Sequence, residues 1–123
     1  VTSTHPAVQK AVAWLLGTQN ADGGWGESCH SDEKKTYVAL GASTPSQTAW
    51  ALDALIAVSP EPTPPILRGI DFLSRQSQAT SWSVTYPTGG GRPGGTYFAY
   101  HSYRFIWPLL ALGHFKHKYG SSR

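Results

Sequence analysis

The chain has 123 residues, 40% of them hydrophobic, a formal net charge of +3 and one cysteine. A chain of this length forms one domain or part of a larger one, and a single cysteine excludes an internal disulfide framework. The longest apolar run, residues 11–16, is too short for a membrane span of about 20 residues. We therefore expect neither a transmembrane helix nor a secretion leader.

The basic residues gather at Lys34 and Lys35 and in the tail, residues 114–123. No basic helix or glycine-flanked aromatic RNA signature accompanies them, so we interpret them as solvated surface and expect no nucleic-acid partner. An anionic membrane surface is a better partner for a sparse basic tail beside aromatic residues. Since one free cysteine fits a reducing compartment, we expect a cytoplasmic protein that associates peripherally with a membrane.

The first predicted helix begins near Pro6, whose missing N–H costs nothing in a first turn. Apolar residues then recur with helical spacing up to Leu16. The helix ends in the sequence Gln-Asn-Ala-Asp-Gly-Gly-Trp, residues 19–25, which predicts a tight loop because glycine adopts backbone angles that other residues resist. We expect the Gln19 amide to bind unpaired backbone groups at helix ends, with the Trp25 ring covering it.

Residues 26–43 lack periodicity and predict a long irregular loop. The next helix begins cleanly, because Thr44 can cap it, Pro45 suits the first position, and Gln47 completes a capping box. Residues 49–58 are apolar nearly all round, which predicts an inner helix covered on both sides. If a neighbour is missing, the exposed face predicts an oligomer or a further segment that packs there.

A proline-rich linker, residues 60–65, leads to a helix with Ile66, Ile70 and Leu73 on one face. Residues 80–96 are rich in serine, threonine, glycine and proline, with Trp82 and Tyr86 among them. The last helix is predicted over residues 98–118, with Pro108 kinking or restarting it.

A shift of 57 residues carries Gln19 onto Gln76 and Trp25 onto Trp82. The same shift carries Trp50 onto Trp107 and Leu52 onto Leu109, although the second loop has lost its glycines and its acidic residue. We predict an all-α chain built from two copies of a helix–loop–helix unit, about residues 5–59 and 62–119.

Three segments carry a family resemblance: residues 19–27 with the Gln–Trp motif, residues 41–52 with Gly-Ala-Ser-Thr-Pro-Ser-Gln-Thr-Ala-Trp-Ala-Leu, and residues 97–115. Together they resemble the C-terminal part of the squalene–hopene cyclases, the class II triterpene cyclases. The resemblance covers nearly the whole chain and implies part of a double-layered α/α barrel. In that family the glutamines tie helix ends together, the tryptophans stack over them, and a polyprenyl chain folds inside the central cavity.

The family's chemistry is protonation of a terminal double bond or epoxide, then carbocation ring closure and deprotonation, without a cofactor. Aromatic faces stabilise a desolvated cation. By motif position, Tyr100 and Tyr103 match paired tyrosines of the cavity wall, whereas Arg92 and Thr96 replace two aromatic residues. A guanidinium repels a cation and a hydroxyl can trap one, so either the lining differs, or Arg92 points away, or this copy has drifted from catalysis. Without the resemblance, aromatic residues at this spacing predict core packing.

The family's general acid lies in an Asp-x-Asp-Asp run upstream of the matching region. Here the aspartates Asp22, Asp32, Asp53 and Asp71 are isolated. We therefore expect no catalytic residue in this chain and no activity from it alone. It would supply cavity wall and scaffold around a polyprenyl substrate such as squalene, together with the rest of the barrel.

Two alternatives remain open. One is a non-catalytic helical repeat module that binds lipid or protein. The other is a prenyltransferase-like zinc enzyme, because cysteine and histidine are zinc ligands and the chain contains Cys29, His30, His114 and His117. The ligand pattern of that zinc family is not matched, so we expect no metal.

Overall fold

The computed structural model describes residues 3–78 and 86–120. Five helices and one hairpin follow in the order α1 (Pro6–Gly17), α2 (His30–Lys34), α3 (Pro45–Val58), α4 (Pro64–Gln78), β1 (Gly89–Arg92), β2 (Thr96–Phe98) and α5 (Tyr103–Tyr119). The predictions for α1, α3 and α4 are confirmed as helices. No helix of these residues is both long and apolar enough to cross a membrane.

Helix α3 begins where the sequence predicts, because Thr44 Oγ1 accepts a hydrogen bond from Gln47 N at 3.3 Å. The other half of the predicted capping box is wrong. The Gln47 side chain instead accepts from Glu27 N at 2.6 Å and donates to Glu27 O at 3.1 Å, and Thr44 N donates to Trp25 O. A capping box would pair the Gln47 side chain with the backbone N–H of Thr44. Here both of these groups bond instead to the loop before α3.

The structure corrects the loop prediction for residues 26–43 and adds a hairpin to the all-α prediction. Residues 26–43 contain helix α2 and an antiparallel bridge between Glu27 and Ala39. Within residues 80–96, the part that the structure describes forms most of a hairpin, in which Gly89 pairs with Phe98. These structures depend on backbone pairing between separate segments, which local composition does not encode.

The last helix begins at Tyr103 rather than at residue 98, because Phe98 belongs to the hairpin. Of the kink or restart predicted at Pro108, the restart is wrong, since α5 continues through this residue, and the kink stays a prediction. Pro108 is buried within the helix, and its missing N–H leaves one carbonyl without its usual helical donor.

The core lies where α3 packs against α4 and α5. Leu52, Ile66 and Leu73 are fully buried there. A Cβ added to Gly69 would lie 2.7 Å from Leu52 Cδ2, so α4 can approach α3 closely only because this residue has no side chain. Burial of these side chains supplies the main stabilisation of the helix layer.

Helices α3 and α5 run in the same direction. Near their N-termini, Trp50 contacts Tyr103 with ring centroids 5.8 Å apart. Near their C-termini, Tyr119 Oη donates to Ser59 O at 2.8 Å, and Lys118 Nζ donates to Ile56 O, one of the last carbonyls of α3. Helix α4 connects these two parallel helices and packs against α3.

Candidate functional site

An aromatic cluster joins the start of α5 to α3. The rings of Tyr100 and Tyr103 stack with centroids 4.6 Å apart and an interplanar angle of 26°. Trp50 meets Tyr103 edge-on at 5.8 Å, and Trp107 lies at the same distance from both Trp50 and Tyr103. The structure therefore brings the two predicted tyrosines together in one continuous aromatic surface.

Local geometry explains this arrangement. Tyr103 and Trp107 are four residues apart in α5 and so lie on the same face of the helix. Tyr100 precedes the helix, and its carbonyl accepts a hydrogen bond from Tyr103 N at 3.1 Å, which holds it beside the first turn. Its side chain is among the exposed large hydrophobic groups, so one face of the stack is open.

Trp50 belongs to this surface but was not among the predicted site residues. The sequence signal that could have identified Trp50 is its alignment with Trp107 under the 57-residue shift, since equivalent positions on parallel helices face the same side. Two buried hydrogen-bond donors lie beside this aromatic cluster, Arg104 Nε and Trp107 Nε1. Neither has a hydrogen-bond partner among the described residues.

Arg92 and Thr96 lie apart from the stacked tyrosines. They are register partners at the far end of the hairpin, and both are exposed. Tyr100 lies beside Gly89 at the other end, about 10 Å along the strand at the usual rise per residue. The side-chain stem of Arg92 instead lies next to Gly95. The structure therefore does not group Arg92 or Thr96 with the tyrosines, and a cavity role for any of the four stays a prediction.

The hairpin is attached to α2. Tyr97 Oη donates to Asp32 Oδ1 at 2.8 Å and accepts from Gly94 N at 2.8 Å. Desolvation, followed by the hydrogen bond to Asp32, raises the pKa of Tyr97 above its usual range. The hydroxyl therefore stays protonated into alkaline solution and keeps donating to the carboxylate, which holds the hairpin and the following Tyr100 in place.

The Gln19 amide connects the first loop to α4. Its Nε2 donates to Gly23 O and to Pro65 O, both at 2.9 Å, and its Oε1 accepts from Arg68 Nη2 at 2.6 Å. The amide thus bonds to a carbonyl of its own loop and to one at the start of α4.

Trp25 connects α1 to α3. Its ring is buried, and Nε1 donates to Leu15 O at 2.8 Å near the end of α1. Its backbone N donates to Thr48 Oγ1 and its carbonyl accepts from Thr44 N, both at the start of α3. For the second pair, Gln76 lies in α4, but Trp82 lies outside the described residues, so that clasp stays a prediction.

Gln19→Ala should lower the free energy of unfolding by about 2 kcal/mol, because it removes three hydrogen bonds made by a half-buried amide. Urea denaturation followed by circular dichroism measures the change. Gln9→Ala is the matched control, since the exposed Gln9 side chain bonds, within the described part of the chain, to Ser3 O, and its effect should stay within about 0.5 kcal/mol. Equal losses in the two variants would contradict the connecting role of Gln19.

The four aspartates are engaged separately with neighbouring groups. Asp22 accepts from Gly24 N and Ser43 Oγ, Asp32 from Tyr97, and Asp71 from Arg75, while Asp53 lies 3.0 Å from His114 Nδ1. The structure therefore does not bring these aspartates together as a paired acid.

The residues considered for zinc also lie apart. His30 pairs with Glu33, His114 pairs with Asp53, and Cys29 Sγ donates to Pro87 O at 3.3 Å. Desolvation, then the charges of Asp32 and Glu27, raise the pKa of the Cys29 thiol, which disfavours the thiolate that a metal requires. Among the described residues no group of three or more histidine, cysteine, aspartate or glutamate side chains could hold a metal ion.

Comparison with known proteins identifies the family. Residues 1–117 match the model of the squalene–hopene cyclase C-terminal domain. The chain is 44% identical over 115 residues to a squalene–hopene cyclase of Zymomonas mobilis, covering 91% of this chain and 17% of that protein. It is 46% identical over 160 aligned positions to sporulenol synthase of Bacillus subtilis (91% and 25%), and 39% identical over 114 residues to lanosterol synthase of Candida albicans (93% and 16%).

The chain therefore belongs to the squalene–hopene cyclase family, through its C-terminal domain. The predicted fold class is confirmed as well: the helices are part of an α/α barrel, with one small hairpin added. The chain spans a quarter or less of the length of these three relatives.

Proposed function

We propose that this chain supplies cavity wall and scaffold to a class II triterpene cyclase that cyclises a linear polyprenyl such as squalene. The observation that carries the proposal is the aromatic surface of Trp50, Tyr100 and Tyr103, with stacked and edge-on rings and an open face. Such π faces stabilise a desolvated cation without acting as bases that would end the reaction early. Family membership supports a polyprenyl as the substrate class.

The proton that starts the reaction would come from an acid outside these residues. Each of the four aspartates bonds to a different neighbouring group of the chain. This supports an external acid, because a strong general acid needs a carboxyl group that is free to release its proton toward the substrate. The purified chain should therefore give no cyclic product with squalene, and product formation would contradict this part of the proposal. A hydrophobic substrate and the sparse basic residues support contact with an anionic membrane surface, and the single cysteine supports a cytoplasmic location.

A chimera tests the wall directly. The matched segment of the Zymomonas mobilis cyclase is replaced with residues 1–117 of this chain, and products from squalene are measured by gas chromatography. We expect cyclised products. Tyr103→Leu should lower the rate by about 30-fold, the equivalent of a cation–π interaction of about 2 kcal/mol, whereas Tyr103→Phe keeps the ring and should retain most activity.

Equal rates for Tyr103→Leu and Tyr103→Phe would contradict a cation-stabilising role. If the chimera folds and binds squalene but forms no product, the alternative of a non-catalytic helical module gains support. The observation that favours this alternative is the set of exposed apolar side chains on α5, including Ile106 and Leu109, which could bind lipid or protein.

A further inference from the structure

The Tyr100 ring contacts both helix α5 and the hairpin. It stacks on Tyr103 of α5 with ring centroids 4.6 Å apart. It also lies against β1, where a Cβ added to Gly89 would be 2.8 Å from Tyr100 Cε2 and 3.5 Å from Cδ2. Non-bonded carbon atoms approach to about 3.5–4.0 Å. The ring therefore occupies space that the side chain of any residue other than glycine would need.

Glycine is needed at position 89 for space and not for backbone conformation. The described glycines in the left-handed region are Gly23, Gly41 and Gly94, so alanine can adopt the backbone of Gly89 without that strain. An added methyl group at this position would meet the edge of the Tyr100 ring, which is the end of a side chain that can rotate. We therefore expect the ring to move while β1 stays paired with β2.

The opposite face of the hairpin is attached to the segment that contains α2. Successive residues of a strand point to opposite faces, and Gly90 accordingly faces the Tyr97 ring. The Tyr97 hydroxyl donates to Asp32 Oδ1 at 2.8 Å. At the base of the hairpin, Cys29 Sγ donates to Pro87 O at 3.3 Å. Because a two-stranded, glycine-rich hairpin is only marginally stable alone, these bonds determine where β1 lies.

We propose that Gly89 is a positioning residue for the cyclisation, because its missing side chain lets the Tyr100 ring stack on Tyr103. The bond between Asp32 and Tyr97 keeps Gly89 in that place. This inference rests on the proposed function, in which the stacked tyrosines form part of the cavity wall. A cation–π interaction requires the cation to lie over the face of the ring. A ring that tilts away from the stack therefore stabilises the cation less, although no aromatic group is lost.

Nuclear magnetic resonance of the chain, labelled with ¹³C in its tyrosine rings, tests the contact. Stacking places the ring protons of Tyr100 and Tyr103 in each other's ring current, and Tyr100→Phe and Tyr103→Phe assign their signals. Gly89→Ala should move both signals toward those of an unstacked tyrosine. Gly90→Ala is the control on the opposite face, where the nearest atom would be 3.7 Å away, and it should leave both signals in place. Unchanged signals in Gly89→Ala would overturn the inference.

Rates in the chimera with the Zymomonas mobilis cyclase connect this contact to the reaction. Gly89→Ala should lower kcat about tenfold with little change in KM, because it weakens an interaction made with the cation and not with squalene itself. Gly90→Ala should match the unchanged chimera. When Tyr100→Leu is already present, Gly89→Ala should have no further effect, since it acts through this ring. A further tenfold loss in that background would indicate a general disturbance of the hairpin and overturn the inference.

Two variants of Asp32 test the support of the hairpin from its other face. Asp32→Ala removes the acceptor of the Tyr97 hydroxyl and should move the two tyrosine signals, whereas Asp32→Asn keeps an acceptor oxygen and should leave them in place. Equal signals in these variants would overturn the part assigned to this bond. Circular dichroism verifies that each variant folds.

The chimera also separates failure of the inference from failure of the proposed function. If Tyr100→Leu cyclises squalene as fast as the unchanged chimera, this ring stabilises no cation, and the proposed function fails at this ring together with the inference. If Tyr100→Leu slows the reaction but Gly89→Ala does not, the inference alone is overturned. A loss in both variants that is not additive supports the positioning role of Gly89.

Discussion

Gly26→Ala should destabilise the folded chain by at least about 3 kcal/mol, at the upper end of what overpacking causes. An added Cβ would lie 1.8 Å from Ala42 O and 3.0 Å from Ala42 C, and both atoms belong to the backbone. A flexible side chain could turn away from such a contact, but this carbonyl can move only if the loop before α3 moves with it.

The loop has little freedom to move. Gly26 O accepts from Leu40 N at 3.0 Å, and the residues on either side, Trp25 and Glu27, bond to Thr44 and Gln47 at the start of α3. Relief of the contact therefore breaks hydrogen bonds between buried groups, each costing about 1–3 kcal/mol when left unmade. The change should also displace the buried Trp25 ring.

Urea denaturation monitored by circular dichroism measures this loss. Gly17→Ala is the control, because a Cβ there meets nothing within 4 Å at the end of α1. That variant should be neutral or stabilised by up to about 1 kcal/mol, since alanine favours a helix over glycine. If Gly26→Ala unfolds at the same urea concentration as wild type, the close approach of these two loop segments is refuted.

Local chemistry predicted the helices better than it predicted the contacts between them. Thr44 and Pro45 define the start of α3 through a cap that depends on a few neighbouring residues. By contrast, the start of α5 depends on Phe98 being held in the hairpin, and the hairpin in turn depends on Tyr97 meeting Asp32, 65 residues earlier. No local pattern contains that pairing.

The candidate site shows the same division. Helical spacing places Tyr103 and Trp107 on one face, and the family motif points to Tyr100 and Tyr103. The contribution of Trp50 comes from another helix and required the parallel packing of α3 and α5. The separation of Arg92 from the tyrosines likewise follows from strand register, which sequence composition at a glycine-rich hairpin specifies weakly.

Leu52→Ala should cost about 3–5 kcal/mol, the range for a buried leucine whose cavity cannot collapse. Leu52 is 0% exposed, and its Cδ2 lies against the backbone of Gly69 on α4, a residue that has no side chain with which to fill the space. A chain this small has a total stability of about 5–15 kcal/mol, so the loss is a large share of it.

The comparison with Leu67→Ala makes the measurement specific. Both changes remove the same atoms from a helix, but Leu67 is 48% exposed on α4, and its replacement should change stability by about 0.5 kcal/mol or less. Similar midpoints of urea denaturation for the two variants would mean that α3 is not the buried inner helix. The parallel α3–α5 layer, and with it the aromatic surface of Trp50 and Tyr103, would then lose its physical basis.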